Sequence, residues 1–330
     1  MQRKLYILSG VLSVLILVNV FFIVLVPNAP LPTLTGALSR RDGSLTGRIS
    51  TEGNIGTGTL GSGAAYIFPI AESTYLPVLN TAIERPALSA KSAIVYDTRS
   101  SRSLYSKNSE ERLPIASLTK LLSAVVVLEN LNLDDIVVVS KEALKVDGEK
   151  QTLYLDERIR ARDLLKMMLI ESSNDAAYAL KYYASIIGVD LGALMNRKAI
   201  ELGMHSSIFH DPAGLNDDAL STSEDLLKLV SYSLKFDDLW LILGEKSTTV
   251  YSVDGRIEHQ VNSTNQLLGV IPDVVGGKTG YTDIALGNMI LAVGIPGKND
   301  KLISIVLGSN ERFTDTEKLI NWTKRAYSWE

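Results

Sequence analysis

The sequence predicts an α+β fold, in which one sheet packs against helices behind an N-terminal transmembrane helix. Three observations support this prediction. Residues 5–26 form an uninterrupted apolar run, strand-like segments lie at both ends of residues 88–330, and the middle of that region is mostly helical in pattern. Periodicity does not supply the strand order.

Residues 5–26 carry no charged side chain. As a helix they would be about 33 Å long, enough to cross the ~30 Å hydrocarbon core of a bilayer. Arg3 and Lys4 precede the segment, so the positive-inside rule places the N-terminus in the cytoplasm and the rest of the chain outside. A cleaved signal peptide is the alternative, with a weak site near residues 35–37. Its apolar run would be about 7–15 residues, so we favour an uncleaved anchor in the cytoplasmic membrane.

Residues 27–87 are rich in Gly, Ser, Thr and Pro and lack lasting periodicity. Such a composition predicts a flexible linker with an r.m.s. span of roughly 40 Å. We therefore divide the chain into an anchor region at 1–26, a linker at 27–87 and a catalytic domain at 88–330.

Strands and helices follow one another through the predicted domain. Apolar, β-branched runs predict strands at residues 92–98, 102–106, 274–282, 288–294 and 302–308. Helical patterns occur at residues 117–131, 161–171, 175–187, 190–202, 225–236 and 314–329. The segment 117–131 is apolar on nearly all sides past its first turn, which predicts a buried central helix. Ser221 and Glu224 match a capping box before the helix at 225–236.

Composition excludes several kinds of site. The chain has no cysteine, which rules out a cysteine nucleophile, a thiolate metal site and a disulfide. Its formal net charge of −4 argues against a partner with a phosphate backbone, so we expect no nucleic acid to bind. His205 and His210 are five residues apart and do not share a helical face, so we assign no metal site and no cofactor.

Three short motifs occur in an order that indicates acyl-transfer chemistry. The chain has one S-x-x-K sequence, at residues 117–120, and one K-T-G sequence, at residues 278–280. Of its three S-x-N sequences, the one at residues 172–174 falls in a predicted interhelical loop between those two motifs. Each motif alone has a high false-positive risk, but the ordered set is much harder to obtain by chance.

Ser117 is the predicted nucleophile. It stands at the start of an apolar helix, where the helix dipole and unpaired N–H groups favour negative charge. Lys120 follows three residues later on the same helical face, and its apolar neighbours favour the neutral amine that can accept the serine proton. Ser172 can relay protons, and Asn174 can hydrogen-bond both Lys120 and a substrate amide.

The K-T-G segment is the predicted substrate-binding strand. Lys278 and Thr279 offer a cation and a hydroxyl to a substrate carboxylate. Gly280 lets the substrate backbone approach the strand closely.

These motifs and their surroundings resemble the low-molecular-mass penicillin-binding proteins, the serine D-alanyl-D-alanine carboxypeptidases. The similar segments within residues 88–330 are ALSAKSAIVYD, LPIASLTKLLSA, SSNDAAYAL, MNRKAIELGM, DPAGL, STSEDL, NSTNQLL and GGKTGYT. The resemblance implies a β-lactamase/transpeptidase-like fold with a mainly antiparallel sheet. It also implies an oxyanion hole made by the backbone N–H groups of Ser117 and Tyr281, and places Tyr281 among the substrate-binding residues.

The resemblance implies a serine D,D-carboxypeptidase, and the predicted anchor places it on the outer face of the cytoplasmic membrane. Its substrates would be peptidoglycan stem peptides, and β-lactams such as penicillin would also acylate Ser117. Three alternatives stay open: a D,D-endopeptidase, a β-lactamase, and a non-catalytic sensor that binds peptidoglycan or β-lactams.

The sequence departs from the family pattern at a few positions. Asp211 stands where the family usually has Asn, Ser173 stands where Gly is common, and Ala219 and Leu220 occupy a region where His is frequent. A β-lactamase of the class A type would need a Glu in an E-x-x-x-N segment as its deacylation base. The one such segment between the second and third motifs, at 258–262, lies in a strand-like stretch, so we do not expect Glu258 to act as that base.

Overall fold

The computed structural model describes residues 76–146, 152–295 and 300–329. The predicted membrane-spanning segment at residues 5–26 and the predicted linker as far as residue 75 lie outside these ranges. Within the described ranges, no helix is long and apolar enough to cross a bilayer.

Thirteen strands occur in the described residues, and many of them are short. They are β1 (Pro77–Leu79), β2 (Ser92–Asp97), β3 (Arg102–Lys107), β4 (Leu113–Pro114), β5 (Ile136–Val138), β6 (Arg158–Arg160), β7 (Leu220–Ser221), β8 (Ser247–Tyr251), β9 (Glu258–Asn262), β10 (Val274–Thr282), β11 (Leu286–Gly294), β12 (Lys301–Ser309) and β13 (Tyr327–Trp329).

Helices fill most of the middle of the chain. The α-helices of the same ranges are α1 (Thr119–Asn130), α2 (Ala161–Ile170), α3 (Asn174–Ile186), α4 (Leu191–Glu201), α5 (Ser223–Ser233), α6 (Asp237–Gly244) and α7 (Arg312–Ala326). Two 3₁₀ turns, Ala116–Leu118 and Ala143–Lys145, accompany them.

Five strands form the central sheet in the order β10-β11-β12-β2-β3, and every neighbouring pair is antiparallel. The remaining strands pair as the two-stranded ribbons β1–β13, β4–β7, β5–β6 and β8–β9. This arrangement confirms the predicted α+β class and the mainly antiparallel sheet. Strand β10, which carries the K-T-G motif, lies at one edge of the sheet.

Both faces of the central sheet are covered, which explains why its three inner strands, β11, β12 and β2, are buried almost throughout rather than at alternate residues. Ile94 and Ile290 point into the larger core, which they share with α1 to α6. Val95 and Leu291 point into a second core that α7 closes around Trp322. Helix α1 is buried from Thr119 to Val127, which confirms the predicted central helix.

The structure differs from the predicted elements at two helix ends. Thr222, not Ser221, caps α5 by accepting a hydrogen bond from the Asp225 backbone N–H at 3.0 Å. Ser221 instead lies in β7, where its hydroxyl contacts that of Ser207 at 2.8 Å. The predicted last helix ends at Ala326, because the chain there extends to form β13.

The packed domain includes residues that the sequence analysis assigned to the linker. Pro77–Leu79 pair with Tyr327–Trp329 as an antiparallel ribbon, and Leu79 packs against the second core. The Asn80 backbone N–H also donates to the Ala326 carbonyl at 2.7 Å. The first described strand therefore begins 11 residues before the predicted domain boundary at residue 88.

Candidate active site

Ser117 lies in the 3₁₀ turn that joins β4 to α1, and its side chain is partly exposed. The preceding residue, Ala116, has a φ of +48°, in the left-handed region that non-glycine residues rarely adopt. A Cβ on Gly214 would lie 2.0 Å from the Ala116 carbonyl oxygen, so only glycine allows that loop to touch the turn. The surrounding structure thus holds the backbone of the predicted nucleophile in an unusual conformation.

Lys120 is fully buried one helical turn beyond Ser117. Its Nζ lies 2.8 Å from Ser117 Oγ, 2.7 Å from Asn174 Oδ1 and 2.9 Å from the Ala213 carbonyl oxygen. The two carbonyl oxygens can only accept hydrogen bonds, whereas the hydroxyl can also donate one. An ammonium would donate to all three oxygens, whereas a neutral amine would donate to the two carbonyl oxygens and direct its lone pair at Ser117 Oγ. The geometry therefore allows Lys120, once neutral, to accept the Ser117 proton.

Ser172 and Asn174 lie at the junction between α2 and α3. Ser172 has a φ of +67°, which turns the chain sharply between the two helices. Ser173 caps α3 by accepting a hydrogen bond from the Ala176 backbone N–H at 3.1 Å. Asn174 is therefore the first residue of α3, where its amide oxygen reaches Lys120.

The buried carboxylate of Asp175 stabilises the junction between α2 and α3. Asp175 accepts hydrogen bonds from the Ser173 hydroxyl and from the backbone N–H groups of Thr152 and Leu153, the latter two at 2.6 and 2.8 Å. The side chain of Asp175 thereby ties the segment that begins at residue 152 to the first turn of α3.

Lys278 and Thr279 lie on β10, opposite the S-x-N junction. Lys278 is buried, and its Nζ donates to Ser172 Oγ at 2.8 Å and to the Thr279 carbonyl at 3.0 Å. The Thr279 hydroxyl contacts the Thr264 hydroxyl at 2.6 Å, and the Thr264 backbone N–H donates to the Ile170 carbonyl at 3.1 Å. Two sets of hydrogen bonds thus join the K-T-G strand to the end of α2: one from Lys278 to Ser172, and one from Thr279 through Thr264 to Ile170.

Gly280 brings the edge strand against the nucleophile turn. A Cβ at this position would lie 2.8 Å from the Ile115 carbonyl oxygen and 3.2 Å from the Ser117 backbone nitrogen. The sequence analysis assigned Gly280 to close approach by substrate backbone. The structure adds a second reason for glycine, because the chain's own backbone approaches it.

The Tyr281 side chain lies at the surface beside the K-T-G motif. It is 57% exposed, and its hydroxyl bonds to the Asp283 carboxylate at 3.1 Å, which raises the pKa of the phenol. The Arg312 guanidinium lies 5.8 Å from the centre of the Tyr281 ring. The exposed ring lies beside the K-T-G motif, and its part in substrate binding stays a prediction.

Sequence analysis missed Arg312, which the structure places beside the K-T-G strand. Its Nη1 donates to the Gly280 carbonyl at 3.4 Å, and its buried Nε has no hydrogen-bond partner among the described residues. Burial lowers the pKa of this guanidinium below its ordinary value. Arg312 thus supplies a second cation close to the K-T-G motif, where no sequence pattern had indicated one.

A cavity of about 740 Å³ opens beside the loop that carries the Ala213 carbonyl. Tyr178 and Tyr182 line it from α3, and His210 and Asp211 line it from the loop. Burial, together with the charge of Asp211, raises the pKa of Tyr178 to about 12. The cavity therefore lies on the far side of this loop, and its walls carry two tyrosine rings and the Asp211 carboxylate.

Sequence analysis also missed a buried pair at the base of the helical region. His259 Nε2 lies 2.7 Å from Glu157 Oε1, and both side chains are buried. The hydrogen bond to Glu157 raises the pKa of His259 above its ordinary value. Glu258, its neighbour on β9, is exposed, and its segment forms a strand as predicted.

Comparison with known proteins supports the grouping of these motifs. The sequence profile of Peptidase S11, D-alanyl-D-alanine carboxypeptidase, matches residues 79–311. A D-alanyl-D-alanine endopeptidase from Haemophilus influenzae is 35% identical over 204 residues, covering 61% of this chain and 69% of that protein. The D-alanyl-D-alanine carboxypeptidase DacF of Bacillus subtilis is 30% identical over 247 residues, covering 72% of this chain and 63% of that protein.

A solved structure shares the fold. Penicillin-binding protein D2 from Listeria monocytogenes, in its cefotaxime-bound form, is 34% identical, with a TM-score of 0.63. The superposition covers 73% of this chain and 99% of that one. This likeness confirms the penicillin-binding-protein-like architecture that the sequence predicted.

Proposed function

The chain belongs to Peptidase S11, the D-alanyl-D-alanine carboxypeptidase family of serine peptidases, and we propose that it removes the terminal D-Ala from peptidoglycan stem peptides. The observation that carries this proposal is the 2.8 Å contact between the buried Lys120 amine and the partly exposed Ser117 hydroxyl. A nucleophile paired with a base in this way is what acyl transfer requires.

In the proposed acylation step, Ser117 Oγ attacks the carbonyl carbon of the penultimate D-Ala while its proton passes to Lys120 Nζ. The developing oxyanion is stabilised by the backbone N–H groups of Ser117 and Tyr281, an assignment supported by the close approach of Gly280 to the Ser117 backbone. The C–N bond then breaks, and the proton that Lys120 took from Ser117 passes through the Ser172 hydroxyl to the amine of the departing D-Ala, which returns Lys120 to its neutral form. Water hydrolyses the acyl-enzyme ester, with Lys120 again as base, and frees Ser117.

Recognition of the substrate carboxylate is assigned to the K-T-G strand. The Thr279 hydroxyl would donate to the terminal carboxylate, and Lys278 and Arg312 would supply positive charge. Asn174, whose Oδ1 already accepts from Lys120, would use its amide N–H₂ group toward the substrate. Arg312 is the one member of this group that we propose from the structure rather than from the sequence.

We also propose that β-lactams acylate Ser117. The Listeria monocytogenes relative has been seen with cefotaxime bound, which supports this assignment. Release of the penicilloyl group should be slow, because Glu258 is exposed on β9 and is not expected to activate a deacylating water. Intact-protein mass measured after removal of excess penicillin should show an adduct that persists; steady hydrolysis at ~10 s⁻¹ would instead favour the β-lactamase alternative.

The second candidate activity is a D,D-endopeptidase that cleaves crosslinks between stem peptides. The Haemophilus influenzae relative of 35% identity bears that name, which favours this candidate. The two activities share acylation chemistry and differ in the leaving group, a single D-Ala in one case and a crosslinked peptide in the other.

One experiment separates these candidates. The purified full-length chain is incubated with a muropeptide pentapeptide and, separately, with crosslinked muropeptide dimers, and the products are weighed by mass spectrometry. We expect loss of one Ala from the pentapeptide and no reaction with Ser117→Ala. Cleavage of the dimers alone would replace the carboxypeptidase proposal with the endopeptidase, and covalent capture of penicillin without turnover of either peptide would favour the sensor.

We further propose that residues 5–26 anchor the catalytic domain at the outer face of the cytoplasmic membrane. The absence of charge from that segment and the preceding Arg3 and Lys4 support this proposal. The full-length chain should stay with membranes after high-salt and carbonate washes. A native N-terminus near residue 37 or beyond would show instead that a signal peptide is removed.

A further inference from the structure

Asp211 is a nearly buried carboxylate in the loop that follows β-bridge residue Ile208 and precedes β7. Its Oδ1 accepts hydrogen bonds from the backbone N–H groups of Ala213 and Gly214 at 2.7 and 2.6 Å, and its Oδ2 accepts from that of Asn216 at 2.9 Å. The Leu215 N–H lies 3.2 and 3.1 Å from the two oxygens. Four consecutive amides thus surround one carboxylate, and both of its oxygens are used.

The Ala213–Gly214 peptide links this carboxylate to the predicted base. Its N–H group donates to Asp211, and its C=O group accepts from Lys120 Nζ at 2.9 Å. A trans peptide is planar and directs its N–H and C=O to opposite sides. The peptide therefore cannot rotate away from Lys120 without also breaking its bond to Asp211.

The same loop contacts the nucleophile turn. Gly214 has a φ of +74° and approaches Ala116 so closely that a Cβ would overlap the Ala116 carbonyl. A shift of the loop would therefore disturb both the residue preceding Ser117 and the acceptor of the Lys120 amine. Asp211, which binds the Gly214 N–H, therefore stabilises both the contact of this loop with Ala116 and the hydrogen bond of the Ala213 carbonyl with Lys120.

We propose that Asp211 is a positioning residue for Lys120. By holding the Ala213–Gly214 peptide, it makes the carbonyl bind one amine hydrogen while Asn174 binds the other, which leaves the lone pair directed at Ser117 Oγ. The negative charge of Asp211 also polarises the peptide and strengthens its carbonyl as an acceptor. This inference rests on the proposed function, in which Lys120 is the base.

In this chain a carboxylate accepts more hydrogen bonds at position 211 than the asparagine that the family usually has there. An asparagine side chain could still accept from Ala213 and Gly214 through its single oxygen. Its NH₂ group would face the Asn216 N–H, however, and two donors cannot bond to each other. Asp211→Asn therefore keeps some of the hydrogen bonds to the backbone N–H groups of residues 213–216, whereas Asp211→Ala removes all of them.

The test measures acylation of the full-length chain by a fluorescent penicillin over a range of concentrations. This separates the affinity of initial binding from the rate constant of the acylation step. For Asp211→Ala we expect the acylation step to slow by about 10- to 100-fold, since small misplacements of a catalytic group have effects of that size. Asp211→Asn should fall between Asp211→Ala and the wild type, and initial binding should change by no more than about twofold in either variant.

Asp97→Asn is the matched control. Asp97 is also buried and accepts hydrogen bonds from the Arg99 N–H, the Ser100 hydroxyl and the Trp329 indole, at 3.1, 2.7 and 3.2 Å. It pairs with Leu302 at the far end of the sheet from Gly280. Its loss should lower the melting temperature and leave the acylation step unchanged.

Two outcomes would overturn the inference. One is a folded Asp211→Ala chain that is acylated at the wild-type rate; if that variant fails to fold, a wild-type rate in Asp211→Asn decides in the same way. The other is a parallel loss of initial binding and acylation, which a general structural role would cause. Failure of the proposed function is seen separately, because the wild-type chain would then form no adduct on Ser117.

Discussion

Two buried lysines serve the site from opposite sides, and their surroundings assign them different chemistry. Lys120 projects from the central helix α1 and lies against a hydroxyl, an amide oxygen and a backbone carbonyl. Lys278 projects from edge strand β10 and donates to the Ser172 hydroxyl and to the carbonyl of Thr279. Burial is nearly complete for both side chains, at 0% and 1% exposure.

Burial alone therefore does not decide what a lysine does here. Lys120 contacts the hydroxyl of Ser117, the proposed nucleophile, directly, and is therefore placed to take its proton. Lys278 instead donates to Ser172 and lies beside Thr279 on the strand proposed to bind the substrate carboxylate, where a positive charge is useful. Contact with the nucleophile, more than depth, therefore distinguishes the proposed base from the proposed binding cation.

The largest expected effect distinguishes these two assignments directly. Lys120→Arg should reduce acylation by a fluorescent penicillin by about 10³-fold or more, because a guanidinium stays protonated and cannot act as a base. Lys278→Arg retains the positive charge and should lose about 10-fold, mainly through weaker substrate binding. Stopped-flow acylation and circular dichroism on both variants check this; equal losses in two folded variants would contradict the division of roles.

A second substitution tests whether the two sides must stay in contact. Gly280→Ala would place a Cβ 2.8 Å from the Ile115 carbonyl oxygen, which forces β10 away from the nucleophile turn. We expect acylation to slow by about 10- to 100-fold. Gly294→Ala on β11 is the control, because its Cβ would meet no atom closer than 3.5 Å. A normal rate in Gly280→Ala would show that this close approach is unimportant.

A third substitution concerns the hydroxyl pair on the Lys278 side. Thr264→Val removes the hydroxyl that lies 2.6 Å from Thr279 Oγ1 and leaves the side-chain shape nearly unchanged. Because Thr279 would then be less well oriented, we expect the KM for a pentapeptide to rise about 3- to 10-fold with a smaller change in kcat. Thr249→Val, in the exposed β8–β9 ribbon, should leave both constants unchanged, and a fall in kcat alone would contradict the binding role of Thr279.

The smallest effect on catalysis is expected from a substitution in the His259–Glu157 pair. Such a substitution should instead lower the melting temperature. The pKa of His259 is raised in the folded protein by its hydrogen bond to Glu157. The resulting stabilisation is fully present below the unfolded pKa of about 6.5 and is lost as pH rises through the folded pKa. Glu157→Gln should therefore lower the melting temperature by about 5 °C at pH 5.5 and by less at pH 8.5.

The exposed neighbour supplies the control for this measurement. Glu258→Gln, on the same ribbon, should change the melting temperature little at either pH, and acylation should stay within about twofold in both variants. A Glu157→Gln deficit that grows with rising pH would show that His259 is not stabilised as a cation by this pair.

The parts of the site that depend on local sequence were predictable. The helix that follows Ser117 has a long apolar pattern, and the strand bearing Lys278 begins with two valines and carries the K-T-G motif, so the type and place of both follow from the sequence. The convergence of Lys120 with the Ala213 carbonyl was not predictable, because every residue has a carbonyl and no pattern marks the one that is used. Arg312 was missed for a related reason, since a single arginine near a predicted helix start has many ordinary explanations.

The short ribbons were missed for a different physical reason. Two to five residues contain too few side chains to show a period, and ribbons such as β4–β7 and β8–β9 form through pairing with distant segments. The sequence of residues 77–79 does not predict a strand, because this segment becomes a strand through its pairing with β13 and not through its own composition.

The pairing of β1 with β13 has a consequence for the order of the motifs. Pro77 lies opposite Trp329, so a short peptide could join the two strands and cyclise the domain without disturbing the sheet. New ends opened at the exposed turn around Gly255 would give a circular permutant that begins at β9 and ends at β8. In that chain the K-T-G strand precedes the S-x-x-K helix, yet every contact between them is kept. The geometry of the site therefore does not require the motifs to follow one another in their present order along the chain.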